Sequence, residues 1–353
     1  MSNLLITGGS GYVGSRLIYK LLDETDHNIV NYDISLFGDN HLPENKKFVY
    51  HKEDITDAKK FEEAIVKNNI DTVLHLACIS NDPTYELNSE LSKRINYDCF
   101  ENLVKISKKN NVKKFIYAST CSVYGISDSP NVVETNELKP ITDYNKYKAL
   151  CEPILMKYLD DNFVGIIIRP ATVCGFSEKM RFDLTVNILT NYAYNKGYIR
   201  VFGGKQARPN CHIDDICDLY KKLIHDDITK FNGEIFNVGT ENLKIIEVAK
   251  KVKSVMENKL NKKDVEIRVE ESADIRSYMI NSDKIKNFLG FEFKKTVVDA
   301  IEDLCDAFEK NVIKDSFSDE WSNIKVLTKI KENKNQNKME WKTFKKILKK
   351  MVM

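Results

Sequence analysis

Short apolar runs alternate with amphipathic stretches through the first half of the chain. The runs near 3–7, 29–33, 47–50, 72–76, 114–118 and 163–169 predict strands, and the stretches near 12–23, 57–68, 89–109 and 144–160 predict helices between them. This alternation predicts an α/β fold: a doubly wound parallel sheet with right-handed crossovers and helices on both faces. Pro170 marks a change of pattern. From there to about residue 208 the spacing is helical apart from one short strand, IRVF, and EIFNVG near 234–239 predicts a further buried strand that returns to the same sheet. Residues 243–310 mix a helix, a strand and two more helices. They read as the bulk of a smaller mixed α/β lobe over the strand ends, where open sheets bind ligands. The expected division is a large domain from 1–173 with 209–240, a lobe from 174–208 with 241–310, and an extension over 311–353.

The first strand runs into LLITGGSGYVG, where Gly8, Gly11 and Gly14 precede a helix. Asp33 ends the next strand-like segment, NIVNYD, nineteen residues past Gly14. A glycine triplet also serves a tight turn with no ligand, but the flanks and the carboxylate at this distance favour a dinucleotide. The glycines let the backbone approach a pyrophosphate, and the helix N-terminus offers amide donors and a partial positive charge. Asp33 accepts hydrogen bonds from the adenosine ribose hydroxyls and repels a ribose phosphate. No Arg or Lys lies between Asp33 and Lys46, so the expected cofactor is NAD rather than NADP. The large domain is thus read as a NAD-binding Rossmann domain and the lobe as substrate-binding.

The 353 residues are 42% hydrophobic and 30% charged, which suits a soluble globular chain large enough for two domains. A net charge of +2 gives no reason to invoke nucleic acid. No apolar run approaches the ~20 residues of a membrane helix. The N-terminal apolar stretch is the first strand, so no secretory signal is expected. Cys78, Cys99, Cys121, Cys151, Cys174, Cys211, Cys217 and Cys305 form no CxxC pair, which reads as buried reduced thiols in a cytoplasmic protein and gives no support to a metal site. Residues 331–353 hold eight Lys and two Glu, a net of +6. Trp341, Phe344, Ile347, Leu348 and Met351 fall there at helical spacing, with Lys342, Lys345, Lys346, Lys349 and Lys350 on the other face. Such a basic amphipathic helix suits an anionic membrane surface or a partner, and also packing on its own or a neighbouring subunit.

Tyr144 and Lys148 stand four apart in DYNKYKALCE, on one face of the predicted helix. A free tyrosine titrates near ~10. A lysine ammonium and the positive nicotinamide ring beside it favour the phenolate. Such a tyrosine takes the proton of a sugar hydroxyl while NAD takes the hydride from the same carbon, and the lysine also holds the nicotinamide ribose. The pair alone is common on helices; it gains meaning from FIYASTCSVYG upstream, a strand ending in small hydroxyl residues. Thr120 there is placed to donate to the reacting oxygen, although Thr120 and Ser122 also suit loop capping.

The motifs TGGSGYVG, Asp33, Asp54-Ile55, HLAC at 75–78, Asn96, STCSVYG, Tyr144 with Lys148, RPATVCG and RPNCHIDD at 208–215 run in order over about 1–310. In this order the chain resembles an extended short-chain dehydrogenase/reductase of the nucleotide-sugar epimerase/dehydratase family. The resemblance implies that Tyr12 and Val13 of the glycine turn, Asp54 and Ile55 at the adenine, and Leu76 and Ala77 line the NAD. It implies a catalytic set of Thr120, Tyr144 and Lys148, with Arg208 and Arg276 as a clamp on the substrate diphosphate, a task for which the planar guanidinium fork is suited. Ser80, Asn81 and Ser122, together with Asp82 and Thr84, are placed near the sugar, and Asn187 in LTVNILTN is a further sugar or phosphate contact. A turn around Pro83 explains ISNDP equally well, and a solvated helix face explains Asn187. The family pairs subunits through helices such as 89–109 and 144–160, so a homodimer is expected.

Departures from the family pattern narrow the reaction. Its 4,6-dehydratases carry Asp-Glu after the catalytic threonine, where this chain has Cys121 and Ser122. Its 3,5-epimerising branches place a cysteine where Ser122 stands; Cys121 is one residue early, and such a shift at a strand end turns a side chain the other way. What remains is hydride chemistry at carbon 4: oxidation to a 4-keto sugar, or oxidation followed by return of the hydride on the other face. ISNDP, RPATVCG and GGKQARPNCHIDD resemble family members acting on capsule or lipopolysaccharide sugars, with a GDP-heptose 4-dehydrogenase as the nearest specific likeness. A non-catalytic dinucleotide sensor on the same fold is the rival from another class.

Overall fold

A computed structural model describes residues 2–336 except 81, 128, 263 and 273–275, with side chains as far as 332. Asn81 and the tail residues from Trp341 to Met351 lie outside the described residues. In chain order the strands are β1 (Asn3–Thr7), β2 (Asn28–Tyr32), β3 (Phe48–His51), β4 (Thr72–His75), β5 (Lys114–Ala118), β6 (Val164–Pro170), β7 (Thr172–Cys174), β8 (Tyr198–Phe202), β9 (Ala207–His212), β10 (Ile235–Val238), β11 (Glu241–Lys244) and β12 (Glu266–Glu270). The helices are α1 (Tyr12–Glu24), α2 (Ala58–Lys67), α3 (Asp82–Glu86), α4 (Ser89–Lys93), α5 (Phe100–Lys109), α6 (Asp143–Tyr158), α7 (Thr185–Lys196), α8 (Ile213–His225), α9 (Ile245–Asn258), α10 (Asp283–Leu289), α11 (Val297–Glu309) and α12 (Asn323–Gln336).

Seven strands pair in parallel in the order β3-β2-β1-β4-β5-β6-β10, so EIFNVG does return to the main sheet, as its outer strand beside β6. Alternate residues feed two cores, as the two-residue period of a strand requires. Leu4, Ile6, Ile29, Leu74, Ile116, Ile166 and Phe236 pack under α1 and α8. Leu5, Val30, Val73, Phe115 and Ile167 pack under α2, α5 and α6. A third core joins α7, β8, α9 and α11 through Val186, Leu189, Ile199, Val248, Val252 and Ile301. Around it lie a three-stranded sheet, β11-β9-β7, and a two-stranded parallel sheet, β12-β8.

Two sequence expectations need correction. The continuous helix expected over 89–109 is broken: a π-helical turn at Arg94–Asp98 separates α4 from α5. The extra residue of that turn aims the Asn96 amide at Ile79, where it accepts from the backbone N–H at 2.8 Å and donates to the carbonyl at 2.9 Å. The stretch around Pro83, for which a simple turn had been the alternative, forms α3, with the proline in the first turn, where its missing N–H costs nothing.

Candidate active site

β1 lies between β2 and β4, so successive crossovers leave it in opposite directions and open a crevice at the strand ends. A cavity of about 1390 Å³ fills it, lined by Gly8, Gly11, Tyr12, Val13, Gly14, Asp33, Asp54, Ile55, Leu76 and Ala77. Gly8 has φ +76°, and a Cβ there would lie 2.6 Å from the Ala77 backbone nitrogen. A Cβ on Gly14 would meet the Gly8 carbonyl oxygen at 2.6 Å. Only glycine lets the turn sit this tightly against β4. Gly11 begins α1 with no side-chain cap and no acid in the first turn, so the helix presents its backbone donors and positive dipole end to the cavity. Asp33 accepts from the Ser10 N–H at 3.0 Å and the Ser35 N–H at 2.7 Å. Burial pushes its carboxyl up while these two bonds pull it back, and each oxygen keeps acceptor capacity for a ribose hydroxyl. Folding also brings Lys52 to this wall, where Asp39 holds its ammonium at 2.5 Å. These residues fit a dinucleotide with a free adenosine ribose.

Thr120, Ser122, Tyr144 and Lys148 line the same cavity. Lys148 is buried; its Nζ donates to the Ala118 carbonyl at 2.5 Å and lies 4.7 Å from the centre of the Tyr117 ring. The ammonium is thereby pinned to the tip of β5, two residues before Thr120. The Ser122 hydroxyl donates to Asn145 Oδ1 at 2.5 Å, so across the 2.9 Å Thr120–Ser122 contact the threonine is the donor. Below, Glu152 accepts from Ser119 Oγ at 2.6 Å and takes both Arg169 Nε (3.0 Å) and Nη2 (2.6 Å), a buried fork that locks α6 to β6. Cys121 faces the core, not the cavity: it is fully buried, its Sγ donates to the Arg169 carbonyl at 2.8 Å, and burial pushes its thiol up.

The opposite wall comes from distant segments. Ser80, Asp82, Thr84, Arg208 and Arg276 all line the cavity. Arg276 pairs with Asp82, which also accepts from the Thr142 hydroxyl at the start of α6, and Arg208 donates to the Arg276 carbonyl. Asn187 is the correction here. It is fully buried, off the cavity wall: its Oδ1 accepts from the Gly175 N–H at 3.1 Å, and its Nδ2 donates to the Arg181 carbonyl at 2.9 Å and to Tyr12 Oη at 3.2 Å. It braces the wall and leaves no group for a ligand. Sequence reasoning missed Arg181 and Asp183. Arg181 meets Asp183 at 2.9 and 3.2 Å and donates to Ser80 Oγ at 2.8 Å. Burial pulls this guanidinium down, but Asp183 outweighs it and the net shift is upward. The opposite charges of Arg181 and Asp183, alternating with apolar Met180, Phe182 and Leu184 in MRFDL, were the available signal. Also missed were Cys78, Tyr278 and, from α12, Asn323, Leu327, Ile330 and Lys331. The group formed by His212, Asp214 and Asp303 has ligand-like spacing, but the Lys295 ammonium sits on Asp214 at 2.8 Å and on Asp303 at 3.1 Å.

Residues 4–239 match the NAD dependent epimerase/dehydratase family, and the chain belongs to it. It is therefore an enzyme of a family whose cofactor is NAD, on a Rossmann-type sheet. It is 30% identical over 283 residues to dTDP-4-dehydro-6-deoxyglucose reductase of Escherichia coli, covering 75% of this chain and 84% of that protein. It is 26% identical to GDP-6-deoxy-D-talose 4-dehydrogenase of Aggregatibacter actinomycetemcomitans, covering 84% of this chain and 95% of that one. The crystal structure of UDP-glucose 4-epimerase with UDP-glucose from Thermotoga maritima superposes with a TM-score of 0.77 at 23% identity, covering 88% of this chain and 99% of that one.

Proposed function

We propose that the protein oxidises carbon 4 of a nucleotide-diphosphate sugar. The observation that carries this reading is the convergence of Thr120, Tyr144 and Lys148 on one cavity wall, with Cys121 turned into the core and no carboxylate at 121 or 122. Tyr144 takes the proton of the carbon-4 hydroxyl. Lys148, fixed by the Ala118 carbonyl, supplies the positive charge that the phenolate needs and reaches the nicotinamide ribose. Thr120 turns its hydroxyl from Ser122 to the sugar oxygen. NAD, when bound, accepts the hydride. Arg208 and Arg276 hold the diphosphate. The names of two relatives, a 4-dehydro-sugar reductase and a 4-dehydrogenase, specify chemistry at the same carbon.

In finer terms, the reading is a 4-dehydrogenase of GDP-manno-heptose in capsule or lipopolysaccharide sugar synthesis, made in the cytoplasm as a homodimer whose contact includes α6, where Leu150 is 39% exposed. The division into the domains set out above, with NAD on the large one and sugar on the lobe, is part of the same proposal. So is surface contact by the basic stretch 331–353, which liposome sedimentation with and without it tests. The deciding experiment offers GDP-, UDP- and dTDP-sugars, GDP-manno-heptose among them, and follows both NADH absorbance and sugar identity. Net NADH with a 4-keto product supports the dehydrogenase. A carbon-4 epimer with no net NADH replaces it with an epimerase, and inert sugars throughout reject carbon-4 chemistry on this substrate class.

A further inference from the structure

The segment after α11 folds back over the cavity. At its root, the Phe182 N–H donates to the Trp321 carbonyl at 2.8 Å, Lys179 Nζ donates to the Glu320 carbonyl at 2.7 Å, and that ammonium lies 5.1 Å from the centre of the Trp321 ring. Asn191 Nδ2 donates to the Ser316 carbonyl at 3.0 Å. The residues that receive this root are themselves fixed to the first turn of α1: the Lys179 N–H donates to Ser15 Oγ at 3.2 Å, and Ser177 Oγ donates to the Tyr12 carbonyl at 2.6 Å. From there α12 runs to α3, against which it packs. One end of the segment is thus tied to the glycine turn after β1 and the other rests on the helix after β4. Those two loops flank the point where the sheet reverses direction, and a dinucleotide's pyrophosphate lies between them. A helix that joins them crosses over the cofactor.

The inward face of α12 fits that position. Asn323, Leu327, Ile330 and Lys331, spaced as one face of a helix, line the cavity, as do Pro83, Leu87 and Leu91. Ser322 and Asn323 are buried where the helix starts. The cavity keeps its 1390 Å³ beneath the helix, so the segment roofs the site without filling it. The family match ends at residue 239, and the Thermotoga maritima structure, covered over 99% of its own length, accounts for only 88% of this chain.

We propose that residues 311–336 are a strap over the cofactor crevice and that Leu327 and Ile330 hold the bound NAD(H) against release. The proposal rests on NAD occupying the cavity, not on which sugar is used. The test compares the full chain with the L327D/I330D variant, which leaves the anchors at Lys179, Phe182 and Asn191 intact. NADH dissociation is followed by its fluorescence in stopped flow, together with dinucleotide per chain after gel filtration. Release accelerated about tenfold or more, with lower retained dinucleotide and an unchanged circular dichroism spectrum, supports the strap. Release within twofold of the full chain in the folded variant overturns it. If the aspartates prevent folding, L327A/I330A answers the same question: release faster by about threefold supports the strap, and unchanged release overturns it. A full chain that binds NADH and shows this difference but oxidises no sugar rejects the proposed reaction and leaves the strap standing. A full chain that binds no NADH overturns both.

Discussion

The two walls of the cavity are built by different means. The floor, from the glycine turn to Thr120, Tyr144 and Lys148, hangs on strand tips and on single helices that follow them, and its positions are set by ladder register and by helical spacing. The roof, made of α3, the run 179–183, Arg276 and α12, is held mostly by side-chain contacts between residues far apart in sequence, such as Arg181 with Ser80 and Arg276 with Asp82, beside the backbone bond from Phe182 to Trp321. A floor set by strand ladders places a reacting atom closely; a roof held mostly by side chains is the easier part to open. The difference predicts that floor lesions strike the chemical step or the fold, whereas roof lesions strike affinity and retention.

The largest expected effect lies on the floor. Tyr144→Phe should lower turnover by about 10²–10⁴-fold, the usual contribution of a general base, while NADH binding measured by fluorescence stays within twofold. Normal turnover in this variant removes Tyr144 from the chemistry. Next comes the turn itself. Gly14→Ala drives a Cβ to 2.6 Å from the Gly8 carbonyl oxygen and from Gly9 Cα, both backbone atoms that cannot yield cheaply. The cost should be about 1–3 kcal/mol in urea unfolding, with loss of retained dinucleotide. A stable variant that keeps its NAD shows that the turn is looser than the floor's construction requires.

That contrast also explains what the sequence disclosed. Buried strands, the glycine spacing and a Tyr–Lys pair four apart are local patterns, and local geometry converts them directly into positions. The fold and nearly the whole floor were legible for this reason. Asn187 was misplaced because helical spacing does not reveal that the backbone of Gly175 and Arg181 claims its amide. The break in the helix at Arg94–Asp98 is set by the tertiary demand of Ile79 for the Asn96 side chain, and no periodicity encodes that demand. Arg181, Asp183 and the α12 face join the site only through contacts spanning about a hundred residues or more. Lys331, where the charged tail begins, lines the cavity with Asn323, Leu327 and Ile330 just before it, a placement that charge and spacing alone do not reveal.

A smaller effect tests how dry the floor is. His75, in β4, is buried between Thr7 and Tyr117, its Nδ1 2.8 Å from Thr7 Oγ1. Burial, and then the Lys148 charge, pull its pKa from 6.5 down to about 3. As pH falls through 6.5 the unfolded chain binds a proton that the folded chain refuses until about 3, so this contribution to stability is complete above 6.5 and lost with acid across that window. Its slope reaches about 1.4 kcal/mol per pH unit. His75→Gln should be less stable at neutral pH yet show a shallower acid limb by one proton in urea titrations. Parallel limbs for the two proteins would mean that water reaches this histidine.

The smallest expected effect falls where the walls meet. Asp82 opens α3 on the roof, receives the Thr142 hydroxyl from the start of α6 on the floor, and pairs with Arg276. Ring contacts run beside it, with Tyr85 of α3 centred 6.4 Å from Tyr144 and 6.2 Å from Tyr147. Asp82→Asn keeps an oxygen for Thr142 and removes the charge that orients Arg276. If the aspartate serves the roof, and Arg276 holds the diphosphate as proposed, the guanidinium loses the partner that orients it and KM rises, by about three- to tenfold for a charge-assisted hydrogen bond weakened to a neutral one. Turnover at saturation should stay within twofold, because Lys148 keeps its anchor on the Ala118 carbonyl and Tyr144 keeps its place on α6. The opposite split, kcat down a hundredfold with KM unchanged, would place Asp82 among the reacting groups. The division into a chemical floor and a binding roof would then fail at a residue that joins them.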